Sequence, residues 1–381
     1  MIVFAVDLTP DLVRGALELE PTPAGLRPHR LPAWARAQNV EPQLAMAESQ
    51  PSGVRLAFRT GATTVELDTH RTVHSYRGLP PRPEGVYDLV VDGEVLAAAS
   101  TTGGTVVEMD PMTGETVTTA GPPGTVRFAL PDGEHDVEIW LPTHETTDLV
   151  ALRADGPVHP TSGRGRRWVH HGSSISHGSN AASPTGIWAA VAARAAGVEL
   201  TNLGFGGSAM IDPFVARTIR DLPADVISLK LGINVVNGDV MRRRAFIPAV
   251  HGFLDTIREG HPTTPLLLVS PIFCPIQEDT PGPGSMFVVD GRLHFGATGD
   301  PADVPAGRLT LRVIRELLAA IVAQRADDPH LTYLDGRQLH GEADEAERPL
   351  PDALHPDPAT HRVMGERFAA LAFGEGGPLG G

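Results

Sequence analysis

The feature that most constrains this chain is a change of rhythm near its middle. Up to about Val158, short strand-like runs follow one another at hairpin spacing, with no long helical pattern among them. From Arg166 onward, strand-like and helix-like segments alternate. Short strands in succession pair into antiparallel layers, whereas strand–helix alternation builds a parallel sheet covered on both faces. The Gly- and Pro-rich stretch Asp155–Gly165 (D-G-P-V-H-P-T-S-G-R-G) separates the two patterns. The predicted division is a β-sandwich or jelly-roll domain over 1–158, a linker over 159–165, and an α/β domain over 166–381. At 381 residues the chain has the length for two domains.

In the first part, Val54–Arg59 and Thr64–Asp68 alternate apolar and polar residues. Tyr87–Val91 and Val95-Leu96 flank Asp92-Gly93, a strong hairpin signal. Thr105–Met109 and Thr116–Thr119 flank a Pro-Met-Thr-Gly turn. Val126–Leu130 and Val137–Leu141 flank Pro131-Asp132-Gly133 and read as a second hairpin. Thr147–Leu152 closes the set, and residues 20–52 read mostly as loop, with a short helix near Leu31–Gln38. Regularly spaced short strands give a sandwich or jelly roll.

The second part opens with R-R-W-V-H-H-G-S-S-I-S-H-G, residues Arg166–Gly178. This is a strand, a glycine turn bearing hydroxyls, and then a helix entered at Ser183-Pro184, with Ser183 as its cap. Further strands are predicted at Val198–Leu203, Val226–Leu231, Leu266–Ser270 and Leu331–Leu334. Helices are predicted over Pro184–Ala196, from Asp212-Pro213, over 239–259, over Pro305–Arg325 and from Asp357-Pro358, with a long loop over Pro271–Asp303. Open parallel sheets place ligands at the carboxyl ends of their strands. Four such ends carry chemistry: Ser174, the Asn202–Gly207 run, Gly232-Ile233-Asn234, and Asp352-Ala353-Leu354-His355.

Together these blocks resemble the SGNH (GDSL-type) serine hydrolase family, in the form that carries an N-terminal β-sandwich. Gly172-Ser173-Ser174-Ile175-Ser176 lines up with the family's G-D-S-L-S block, Asn202–Gly207 with its second block, Gly232-Ile233-Asn234-Val235 with G-x-N-D, and Asp352–His355 with D-x-x-H. The resemblance implies a three-layer α/β/α catalytic domain. It implies Ser174 as nucleophile, His355 as base and Asp352 as its orienting carboxylate. It further implies an oxyanion hole from the amides of Ser174 and Gly207 and the side chain of Asn234. Two positions depart from the family: Ser173 and Val235 stand where it has aspartates. The chain is also similar to GDSL acyltransferases of actinomycete aromatic-polyketide tailoring. That likeness implies an acyl-enzyme passing an acyl group, aromatic and drawn from a coenzyme A thioester, to a polyketide hydroxyl. The alternative is an esterase that hydrolyses small acyl esters, including acetyl groups on sugars. Neither reading calls for a bound cofactor or a metal; acyl-coenzyme A enters as co-substrate, with a small-molecule acyl donor and an alcohol acceptor as partners.

The formal charge of −15, from 31 basic and 46 acidic residues, argues against nucleic acid or an anionic membrane as partner. Arg242-Arg243-Arg244 reads as a solvated helix face, or as a contact for a phosphate-bearing donor. Lys230 is the only lysine and Cys274 the only cysteine, so no intrachain disulfide forms, and Cys274 is expected to be a buried apolar residue. His170, His171 and His177 are expected to pack rather than bind metal, and His294 to sit in a solvated loop. No apolar run reaches membrane-spanning length, and Met1–Val6 lacks a signal peptide's basic region, so a cytoplasmic location is expected.

Overall fold

The computed structural model describes residues 4–79, 81–110, 112–161, 163 and 165–380. The expectations for the Met1–Val3 start, for Pro111 in its turn and for Ser162 and Arg164 in the connector lie outside the described residues. The chain forms two compact units. The first takes residues up to 36, 40–163 and 183–185, and the second takes 37–39, 164–182 and 186–381.

In the first unit two sheets share one core. An eight-stranded sheet runs in the order Thr116–Thr119, Thr105–Met109, Thr64–Tyr76, Thr146–Ala154, Leu26–His29, Glu18–Pro21. Phe4–Val6 joins it on Thr146–Ala154, and Gly124–Ala129 on Thr64–Tyr76. The second sheet, of six strands, runs Val158–Pro160, Arg55–Thr60, His135–Trp140, Val86–Val91, Glu94–Ser100, with Val13–Arg14 on Arg55–Thr60. Inward side chains of both sheets, Val65, Leu67 and Phe128 from one and Phe58, Leu89 and Ile139 from the other, form one buried cluster. This is the sandwich arrangement. The Asp92-Gly93 hairpin forms as expected, with both residues at positive φ (50° and 90°) joining paired strands.

Four expectations need correction. The strands around Pro131-Asp132-Gly133 are not a hairpin, since Gly124–Ala129 pairs in the first sheet and His135–Trp140 in the second. Splitting them places Val126 and Phe128 opposite Val137 and Ile139 across one core, which a flat hairpin cannot do. Residues 20–52 are less irregular than their prolines suggest, with the strand Leu26–His29 and the helices Ala33–Arg36 and Pro42–Ser49. Val158–Pro160 is an edge strand on Arg55–Thr60, so the start of the connector belongs to the sheet. Ser183 does not cap the α-helix, and a 3₁₀ turn over Pro184–Gly186 stands between them. The Ser183 hydroxyl donates to buried Asp88 at 2.5 Å, beside the N–H and hydroxyl of Thr185, and the helix itself begins at Trp188.

The second unit is built on a five-stranded parallel sheet. Its order is Glu199–Gly204, Arg167–Gly172, Val226–Lys230, Leu266–Val269, Leu331–Leu334. Val226–Lys230 and Leu266–Val269 are buried at every position, as strands covered on both faces must be. Helices Trp188–Ala196 and Pro358–Phe368 pack together, as do Pro213–Asp221 and Arg243–Gly260. In chain order the sheet reads second, first, third, fourth, fifth, so the winding reverses between the first strand and the third. That reversal opens a crevice at the carboxyl ends of Arg167–Gly172 and Val226–Lys230. The predicted long loop after Leu266–Val269 instead holds a two-stranded hairpin, Gly284–Val289 with Arg292–Ala297, turned at Asp290-Gly291. Among the described residues no helix is long and apolar enough to cross a membrane.

Candidate active site

Ser174 stands at the first position of a single helical turn, Ser174–His177, directly after the first strand. The turn lies back on the strand ends. A Cβ at Gly204 would come within 2.5 Å of the Ser176 carbonyl carbon, so only glycine lets the second strand end pass under it. Below the turn, His170 bridges Ser228 Oγ at 2.7 Å and Ser176 Oγ at 2.8 Å, and Trp168 Nε1 donates to the same Ser228 hydroxyl at 2.9 Å. Burial, helped by His171 and Lys230, holds the His170 imidazole well below its ordinary pKa, so it serves this network uncharged. His361 ties the far end of the turn to the last helix through the Ser179 carbonyl at 2.8 Å.

His355 Nε2 lies 3.0 Å from Ser174 Oγ, and His355 Nδ1 lies 2.8 Å from Asp352 Oδ2. An ionised carboxylate only accepts, so Nδ1 carries the proton and Nε2 is left to accept from the serine hydroxyl. The Asp352-Ala353-Leu354-His355 turn is self-locking. Asp352 Oδ1 accepts from the N–H of Leu354 at 2.9 Å and of His355 at 2.6 Å, while Ala353 takes a positive φ of 68°. A left-handed residue with a β-carbon stores ~1 kcal/mol or more of strain, which these hydrogen bonds hold in place. Burial pushes the Asp352 carboxyl up, but the His355 side chain and the two backbone donors outweigh it and hold it below its ordinary value. Asn180 Nδ2 adds a further donor to Oδ2 at 3.1 Å. Phe295, from the hairpin, stands edge-on to the His355 ring at 5.2 Å between centroids.

The second loop runs alongside. A Cβ on Gly206 would be 3.8 Å from Ser174 Cα, and the Gly206 N–H donates to His177 Nδ1 at 3.1 Å. Gly207 follows, exposed and at φ 72°. Asn234 follows the third strand through Gly232, whose φ of 121° bends the chain into the Ile233–Asn237 helix. Asn234 is buried, and its Oδ1 accepts from Ala209 N–H at 3.0 Å, which leaves the NH2 end of the amide to donate. The two departures from the family have plain local roles: Ser173 is the buried residue before the turn, and Val235 is core.

The other singled-out histidines are packing groups. His171 Nδ1 meets the Leu203 carbonyl at 2.7 Å, and His177 shapes the second loop. Cys274 is buried and its thiol is pushed up to about 12, chiefly by burial. His294 stacks on Phe287 in the hairpin rather than standing in an open loop. Arg242, Arg243 and Arg244 are exposed at the start of a helix. Among the described residues no three His, Cys, Asp or Glu side chains gather as a metal site. The Asn180–Asp352 and His170–Ser228 contacts were not legible as site support, because the partners lie 172 and 58 positions apart. Phe295 sits in a hairpin whose Asp290-Gly291 turn was the available signal.

The profile of the GDSL-like lipase/acylhydrolase family matches residues 171–363. Among solved structures, the salicylyl-acyltransferase SsfX3 from a tetracycline biosynthetic pathway is 27% identical, with a TM-score of 0.77 over 96% of this chain and 95% of that one. A Bacteroides ovatus protein that bears the name GDSL-like lipase is 18% identical, with a TM-score of 0.66 over 96% of both chains. A family two carbohydrate esterase from Cellvibrio japonicus is 13% identical, with a TM-score of 0.55 over 97% and 96%. The last two likenesses are of fold. No curated protein matches the chain. With its two-domain architecture and the profile match across its second half, the chain belongs to the GDSL-like lipase/acylhydrolase family and is an acyl-transferring or acyl-hydrolysing enzyme.

Proposed function

We propose that the protein is a serine acyltransferase that moves an acyl group from a thioester donor to a hydroxyl of a natural-product acceptor. The observation that carries this reading is the Asp352–His355–Ser174 relay, at 2.8 and 3.0 Å, in a chain similar over 96% of its length to a salicylyl-acyltransferase. Ser174 Oγ attacks the thioester carbonyl and His355 Nε2 takes its proton. Asp352 stabilises the imidazolium. The oxyanion is received by the amides of Ser174 and Gly207 and the NH2 of Asn234. Collapse breaks the C–S bond, and His355 returns the proton to the departing thiolate. The acyl group then sits on Ser174 as an ester. The acceptor hydroxyl attacks it, giving its proton to His355, and Ser174 recovers that proton as its C–O bond breaks.

Two surface features suit transfer. The hairpin that brings Phe295 beside His355 also exposes Met286, Phe287 and Val288, an apolar flank for a large acceptor. An open groove of about 560 Å³ is lined by Arg244 and by Arg242, which pairs with Asp239 there at 2.6 Å, and offers cationic groups to the phosphates of a coenzyme A donor. Ser174 is only half-buried, which favours hydrolysis as the second reading, since water has access to an acyl-enzyme there. Mass spectrometry of the intact protein with aryl and alkyl thioesters, with and without an alcohol acceptor, separates the two. Acyl retained on Ser174 until the alcohol arrives marks the transferase, and rapid loss to water alone marks the esterase. An unmodified protein that still turns over the thioester would sink both.

A further inference from the structure

Lys230 ends the third strand of the parallel sheet and is 2% exposed. It lines a small crevice of about 20 Å³ together with Ser174, Ile233, Ile272, Cys274 and Leu354. Among the described residues no hydrogen bond or ion pair to its Nζ is present. Arg315, whose charge acts on Lys230, is itself answered by a carboxylate. Glu278 forms a two-point ion pair with Arg315, one arm of it at 2.8 Å, and also accepts the Cys274 N–H at 3.0 Å. Arg315 is further held by the carbonyls of Pro271 at 3.3 Å and Ile272 at 3.2 Å. Burial, with a contribution from Arg315, draws the Lys230 amine down to about 7.

A buried amine without a partner is costly, and neutralisation relieves only part of that cost. Such a group is favourable where a ligand supplies the missing acceptor. The rest of the crevice wall is largely apolar, and Ser174 is among the residues that line it. Room for about one water-sized group means that whatever reaches Lys230 from Ser174 is a short arm. We infer that Lys230 selects the acyl group: it recognises acyl chains that carry an accepting oxygen, a hydroxyl or a carboxylate, close to the carbonyl that Ser174 attacks. This inference rests on the acyl-enzyme reading and adds the substrate class to it.

The test uses the full-length protein and matched pairs of N-acetylcysteamine thioesters that differ by that oxygen: acetyl and glycolyl, propionyl and malonyl, benzoyl and 2-hydroxybenzoyl. The rate of Ser174 acylation is read by intact-protein mass spectrometry. In the wild type, the oxygen-bearing member of at least one pair is expected to load about 10–100-fold faster, the scale of a hydrogen bond to a charged group. Which pair responds tells hydroxyl from carboxylate. Lys230→Met collapses that ratio towards 1, whatever it does to absolute rates. Lys230→Gln, which keeps a donor and loses the charge, holds part of a hydroxyl preference and none of a carboxylate preference. Wild-type loading at Ser174 with equal rates across every pair overturns the inference and leaves the acyl-enzyme reading intact, as does a ratio that survives in Lys230→Met. Loading that persists in Ser174→Ala overturns the acyl-enzyme reading itself. Should Lys230→Met fail to fold, the wild-type ratios and Lys230→Gln still decide.

Discussion

The two units differ in where their buried polar groups meet an opening. In the antiparallel unit several buried charged groups, Asp148, Glu48 and Arg71 among them, have charged partners, while wholly buried Arg30 is drawn down to about 9 by burial. Arg27 grips Asp148 with two hydrogen bonds at 2.7 and 3.0 Å, His29 meets Glu48 at 2.8 Å, and Arg71 reaches Glu145 at 3.4 Å. In the parallel unit Arg315 and Glu278 behave likewise, but at the strand ends Ser174 and Lys230 open onto a crevice. Closed pairs avoid the cost of an unanswered buried charge and leave nothing to react. Open polar groups store that cost where a ligand can relieve it. The first unit therefore supplies stability, and the second holds both a core and the chemistry.

That contrast is sharpened most by Ser174→Ala. Ester turnover should fall on the order of 10⁶-fold, with thermal unfolding unchanged, and a variant near wild-type activity would break the scheme. Asp352→Asn follows, at roughly 10⁴-fold in kcat, because the wrong imidazole tautomer faces the serine; a pre-steady-state burst shows whether acylation is the slowed step. On the other side, Phe58→Ala in the sandwich core should cost about 3–5 kcal/mol by denaturant titration, while kcat per folded molecule stays close to wild type. A large kcat loss there would deny the division of labour. Asn234→Ala should cost about 3 kcal/mol of transition-state stabilisation, read as kcat/KM, with KM little changed.

The smallest effect concerns Lys230. Its folded pKa of about 7 lies below the ordinary 10.5. Below pH 7 it is charged folded and unfolded, and the burial cost is borne in full. Between about 7 and 10.5 the unfolded chain keeps a proton that the folded one has released, so stability rises with pH across this window. Lys230→Met lacks this dependence. It should exceed wild-type stability by on the order of 1–3 kcal/mol below pH 7, with the gap closing towards pH 10.5. A gap that grows with pH would show that the amine is answered in the folded state.

Much of the fold was legible from local pattern. The buried strands Val226–Lys230 and Leu266–Val269, the Asp92-Gly93 hairpin and the last helix, whose Asp357 cap accepts from Thr360 N–H at 2.8 Å, all follow from period and turn chemistry. The misreadings share one cause. Pro131-Asp132-Gly133 has hairpin chemistry, yet the strands beside it belong to different sheets. Ser183-Pro184 has cap chemistry, yet its hydroxyl goes to Asp88. The Gly284–Ala297 hairpin lay hidden in a segment dominated by Pro and Gly, where Asp290-Gly291 alone marked the turn. A turn signal says that the chain bends and not which partner each side then takes.

By itself the sequence determined what neighbours along the chain can settle: the two rhythms, the serine after the first strand, and the carboxylate three residues before the imidazole. The Asp352–His355 contact is a short-range product of one turn. The tertiary structure alone decided that His355 meets Ser174, 181 positions away, at 3.0 Å, and that buried Lys230 lines the same crevice as Ser174. The physical reason is that hydrogen bonds within a turn depend on local dihedrals, whereas burial and the allocation of a distant partner depend on how the whole sheet and its helices pack.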